Sequence, residues 1–157
     1  MKKILAACLG LLLIGSVNAQ PRHTLQLSNP DSWSMVIIPD PQSYVKFNRN
    51  QPILDLMMQW VKDNADPLNV GLVLCTGDLV EQNNIFEGDG VNGNLSSIQQ
   101  WEAVARSFAI LDTVVPYIVC TGNHDHGLKS SENRYSQMNS YFPPQKNPMS
   151  QAMLRGM

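Results

Sequence analysis

No run of lysine or arginine occurs anywhere in the 157 residues, and only 15% of them are charged. Binding a nucleic-acid backbone needs clustered cations that release counterions, so such a partner is disfavoured. Long apolar runs are missing too. The longest, Ile4 to Ile14, is about half of the roughly 20 residues that a spanning helix needs. Histidine is scarce: there are three, and none follows His126. What is plentiful is apolar residue, 43% of the chain, enough for a packed core and too much for a mainly disordered one. The net charge is −2, and losing the positive charges of Lys2 and Lys3 would make it −4.

That loss is expected, because Met1 to Ala19 has the build of an export signal. Lys2-Lys3 begin it, Ile4 to Ile14 form the apolar stretch, and Val17-Asn18-Ala19 give a small-residue exit before Gln20. Cys8 follows the lysines with too little apolar sequence before it to be a lipid acceptor, and belongs to the leader. The expected mature protein is exported, to a bacterial periplasm or beyond, and has no membrane span. Residues 20–34, with Pro21 and Pro30, read as a linker, and 35–157 as one domain. Cys75 and Cys120 each precede Thr-Gly at a strand end. Bridging two neighbouring parallel strands would strain the disulfide torsion, so both are expected as free, buried thiols.

Three apolar runs predict buried parallel strands: Met35 to Ile38, Val70 to Thr76 and Val114 to Cys120. Between the first two, Ile53, Leu54, Met57, Met58 and Val61 recur at helical spacing over Asn50 to about Ala65. Asn50 fits the N-cap there and Pro52 the first turn. Glu87 to Asn94 is a glycine-rich loop, in which Asp89, Asn92 and Asn94 lack the spacing of a calcium loop. Ser97-Ile98-Gln99-Gln100 has capping-box spacing and opens a second helix, with Ile98, Trp101, Val104, Ala105, Phe108 and Leu111 as its core stripe. The alternation of strand and helix predicts a right-handed parallel α/β layer. Beyond His126 no further strand is evident, and Tyr141-Phe142-Pro143-Pro144 reads as a turn anchored by aromatics.

Each predicted strand ends in oxygen-bearing side chains: Asp40-Pro41-Gln42, Gly77-Asp78 and Gly122-Asn123-His124-Asp125-His126. The carboxyl ends of parallel strands are where open α/β sheets hold ligands. Asp40 and Asp78 are anionic donors, and Gln42 and Asn123 neutral ones. Two divalent cations need an anionic ligand between them, and Asp78, on the middle loop, is the candidate bridge. Asp40 and Gln42, spaced by a rigid proline, would share one cation, and Asn123 would reach the other. A water shared by the cations would ionise near neutral pH and attack. His124 would face the leaving oxygen, oriented by Asp125. Singly, each residue also has a conformational explanation: a cap, a left-handed turn, an Asp-Pro turn. His126 reads as an exposed loop residue, and His23 falls in the linker.

Asp40-Pro41-Gln42, Gly77-Asp78-Leu79-Val80-Glu81 and Gly122-Asn123-His124-Asp125 together resemble the first three blocks of the calcineurin-like metallophosphoesterases. The resemblance spans about Met35 to His126. It implies a four-layer αββα sandwich, of which this chain would form part. It also implies two divalent metal ions (Mn, Fe, Zn or Mg). Asp40 would bind the first, Asp78 would bridge, Asn123 would bind the second, and His124 would contact the phosphoryl group. The implied activity is hydrolysis of a phosphate mono- or diester. The family's usual first block is Asp-x-His, and Gln42 stands where that His would be, similar to one branch of the family. A carboxamide oxygen is harder and weaker than imidazole, which shifts preference toward Mn or Mg. The family's later blocks supply three further His ligands, absent here, so the chain is expected to be the amino-terminal part of a longer enzyme. An exported metal- or phosphate-binding module without turnover, or an inactive remnant, are the alternatives. Protein phosphatase, nucleotidase and phospholipid-type diesterase all stay open as substrate classes.

Overall fold

The computed structural model describes residues 25–155; the expected leader, His23 and the first part of the linker lie outside the described residues. Strands β1 (Ser34–Ile38), β2 (Val70–Cys75) and β3 (Tyr117–Val119) form a parallel sheet in the order β1-β2-β3. Its register puts Ile38 beside Cys75 and Cys75 beside Val119, so the three strands end in one row. The helices are α1 (Gln42–Val45), α2 (Gln51–Asn64), α3 (Ser97–Ala109), α4 (Met138–Tyr141) and α5 (Pro148–Arg155), with a 3-10 turn at Asn48–Asn50. This is a mixed α/β fold consistent with part of a metallophosphoesterase sandwich. Among the described residues, no helix is long and apolar enough to cross a membrane.

Local sequence explains the two long helices. Pro52 sits in the first turn of α2, where its missing N–H costs nothing. Leu54, Met58 and Val61 of α2 meet Trp101, Val104 and Phe108 of α3 in one core with Ile38, Val73, Cys75 and Tyr117. The capping box of α3 lies one residue earlier than its sequence suggested. Ser96 accepts from the Gln99 amide, and Gln99 reaches back to Ser96. Ser97 and Gln100 are thereby released into buried tertiary bonds, Ser97 donating to Gln82 O and Gln100 accepting from Glu81 N.

Several expectations change because the described residues cover only one face of the sheet. The helices pack on Val36, Ile38, Val73 and Tyr117, while Met35, Ile37 and Ile118 on the opposite face are 45%, 54% and 39% exposed. Cys120 is likewise exposed, although Cys75 is buried, and both thiols are free. Ile53 and Ile98, expected in the core, lie on the outer flanks of their helices. β3 begins only at Tyr117, because the Val114 and Val115 amides are spent on Leu111 O in the turn that closes α3.

The region after His126 is more ordered than its composition suggested. Tyr141 stacks on Trp101 at 5.6 Å, and Phe142 meets Phe108 edge-on at 5.5 Å. Ser150 Oγ accepts from Tyr117 N and donates to Tyr117 O, taking the place of a further strand at the outer edge of β3. Asn147 donates to Val115 O beside it.

Candidate metal centre

Past the row of strand ends, the backbone turns sharply at two of the predicted ligands. Asp40 (φ 43°) and Asp78 (φ 51°) both adopt the left-handed conformation, unusual outside glycine. Such positions cost about 1–3 kcal/mol each and persist where the surroundings hold them. The loops are tied together around Asp78. Gln42 N donates to Asp78 O at 2.9 Å, and His124 N donates to Asp78 Oδ1 at 2.8 Å. The first and third loops therefore both meet the second. Two glycines permit the approach: a Cβ on Gly77 would lie 2.3 Å from Gly122 N, and one on Gly122 would lie 2.2 Å from Asp78 Oδ1.

Asp40 is exposed, two residues before Gln42, and close enough to β2 for its charge to act on the Cys75 thiol. Burial above all pushes that thiol up to about 12, so it stays protonated and packs as an apolar group. Gln42 Oε1 is buried without a hydrogen-bond partner. Asn123 Nδ2 donates to Ser130 Oγ, which leaves the Asn123 carboxamide oxygen as its free donor. Asp78 uses Oδ1 for the His124 amide, and its other oxygen has no partner among the described residues. Among those residues no three His, Cys, Asp or Glu side chains form a cluster, and the donors that the three loops carry are two carboxylates and two carboxamides. An orphaned, buried carbonyl oxygen on a loop bonded to that of Asp78 is a donor that a hard cation satisfies, so the residues fit such an ion.

The position assigned to Asp125 changes. It is fully buried, and its carboxylate accepts from Val80 N at 3.0 Å and Gly122 N at 2.9 Å, so it clamps the second loop to the third. Burial raises its carboxyl above the usual aspartate value, while the amides of Gly122, Val80 and Leu79 pull the other way. The group beside the His124 ring is Glu81 instead. His124 Nδ1 lies 2.9 Å from Glu81 O and 4.0 Å from the Glu81 carboxylate. A carbonyl only accepts, so this nitrogen carries the proton and Nε2 faces outward. Lys46 holds the Glu81 carboxylate at 2.9 Å. Glu81 stood in the recognised block without a role, and Lys46 carried no signal at all, being 35 residues away in sequence. His126 is half-buried rather than exposed, and its Nδ1 is buried without a partner.

Beside His124 opens a cavity of about 280 Å³ lined by Glu81, Gln82, Asn92, His124, Leu128, Lys129 and Ser130. Asn92 reaches it from the glycine-rich loop, where its backbone and side-chain N–H groups, with the Val91 amide, hold the Asp89 carboxyl below the ordinary aspartate value. That carboxylate is thus spent on its own turn.

Donor-bearing loops at three successive parallel strand ends, knotted at one aspartate, define a metallophosphoesterase-type domain. The profile of the calcineurin-like phosphoesterase family matches residues 36–153, and the chain belongs to that family. The chain is also similar to the uncharacterized protein YvnB of Bacillus subtilis (strain 168), 33% identical over 113 residues. That match covers 71% of this chain and 8% of YvnB, so the chain spans a small part of its relative's length. No solved structure matches significantly.

Proposed function

We propose that the protein hydrolyses a phosphate mono- or diester with two divalent cations held by Asp40, Gln42, Asp78 and Asn123. The observation that carries this reading is the unpartnered Gln42 Oε1, buried at the start of α1 on a residue whose backbone amide is bonded to Asp78 O. Bound divalent cations make a water nucleophilic near neutral pH and offset charge on the phosphoryl oxygens. Asp78, meeting both neighbouring loops, supplies the shared negative charge. Ser130 fixes which end of the Asn123 carboxamide faces the site. Four side chains leave coordination positions for water, substrate and further protein donors.

His124 is the acid or phosphoryl contact. With Nδ1–H held by Glu81 O, its Nε2 is left for the departing oxygen, and in the imidazolium form the Nε2 proton can be delivered there, leaving the neutral ring. The Glu81 carboxylate, fixed by Lys46, lies 4.0 Å from the ring nitrogen. Export is part of the same proposal, supported by Lys2-Lys3, the apolar stretch to Ile14 and Val17-Asn18-Ala19.

The test is release of nitrophenolate from p-nitrophenyl phosphate and from bis(p-nitrophenyl) phosphate by the purified full-length protein. Turnover of at least one, dependent on Mn and abolished by a chelator, is expected. Turnover that survives the chelator, or none with any of Mn, Fe, Zn and Mg, contradicts the proposal.

A further inference from the structure

The cavity beside His124 has a wall whose charge is unbalanced. Its one carboxylate, on Glu81, is already neutralised from outside the cavity by Lys46 at 2.9 Å. Its cation, Lys129, makes no ion pair among the described residues. The acid nearest to Lys129 in sequence, Glu132, turns its carboxylate to the Leu128 amide. Ser130 adds a hydroxyl whose oxygen accepts from Asn123, so its hydrogen is free to donate into the cavity. The wall therefore offers an ammonium and a hydroxyl donor with no opposing free acid.

Lys129 is also carried on a pinned loop. Gly127 O accepts from Asn83 N at 3.0 Å and Asn84 N at 3.1 Å, and Ser131 N donates to Asn123 O at 2.8 Å. Gly127, Ser130 and Ser131 all have positive φ, which folds the loop back onto Asn123. The residue that brings Lys129 to the cavity is thus anchored to the same loop that presents the candidate metal ligand and His124.

We propose that this cavity receives the leaving group of the substrate, and that it selects a small one bearing a second anionic group, which Lys129 binds. This rests on the hydrolytic function proposed above. A volume of about 280 Å³ is near the lower end for ligand pockets and has room for a few-carbon skeleton. The contact with His124 places that skeleton on the side where the leaving oxygen would be protonated.

The experiment compares 3-phosphoglycerate with glycerol 3-phosphate, which differ by a carboxylate in place of a hydroxymethyl group. The protein with Mn is expected to favour 3-phosphoglycerate in kcat/KM. In Lys129→Gln that preference falls about tenfold, the value of one charge-assisted hydrogen bond, mainly through KM. Lys129→Arg restores most of it. Equal kcat/KM for the two esters, or a preference that Lys129→Gln leaves intact, overturns the proposal. A second measurement does not depend on turnover: an NMR titration of the metal-free protein with glycerate, read at the lysine side-chain signals. A saturable shift that disappears in Lys129→Gln supports the pocket, and no saturable shift overturns it. If glycerate binds while no phosphoester is hydrolysed, the pocket stands and the hydrolytic function fails.

Discussion

Asp78→Asn is expected to lower Mn-dependent phosphoester hydrolysis by about a thousandfold while leaving the fold intact. Asparagine tolerates the left-handed backbone at this position and keeps an oxygen for the His124 amide, so the loop geometry survives. What would be lost is the negative charge proposed to lie between two cations. Several kcal/mol of charge stabilisation correspond to two to three orders of magnitude in rate, roughly the loss expected. Parallel thermal unfolding and kinetics check the claim. Melting within a few degrees of the parent together with near-complete loss of turnover is the predicted pair. Retained turnover would remove Asp78 from the centre of the mechanism.

Gly77→Ala is expected to damage fold and site together. The backbone there has φ 105°, and a methyl group would meet Gly122 N at 2.3 Å and Thr121 C at 2.7 Å. These are backbone atoms that cannot swing aside, so the second and third loops must part, carrying Asp78 away from His124 and Asn123. Left-handed strain and overpacking add to about 3 kcal/mol or more. For a chain of this size that is roughly a 10 °C drop in Tm. Gly90→Ala is the control: φ there is 77° but nothing lies within 4 Å of the added carbon, so a cost of only about 1 kcal/mol is expected. Equal losses in the two variants would show that close approach of the loops is not what Gly77 secures.

The parts of the fold visible in sequence are those fixed by local pattern. Each strand is an apolar run with a hard stop, Pro39, Gly77 or Gly122, and each donor follows that stop at once. α2 was visible because Leu54, Met58 and Val61 keep helical spacing behind Pro52. Burial was read less well, because spacing marks an apolar face without saying whether anything covers it. Hence Ile53, Ile98, Met35, Ile37 and Cys120 turned out exposed. The capping box slipped because Ser96 and Ser97 both precede a glutamine by three, and only the tertiary bonds of Ser97 to Gln82 and Ile85 choose between them. In the site, adjacency misled. Asp125 follows His124 in sequence, yet the turn aims its carboxylate at Val80 and Gly122, while Glu81 and Lys46 arrive from other loops. Charge relations that exist only after folding leave no periodic trace.

The most direct measurement is anomalous diffraction at the manganese edge from crystals of the protein grown with Mn. Two peaks about 3.5–4 Å apart are predicted, with the Asp78 carboxylate between them, Asp40 and Gln42 on one and Asn123 on the other. Manganese bound elsewhere with these four side chains bare, or absent at saturating concentration, would contradict the account.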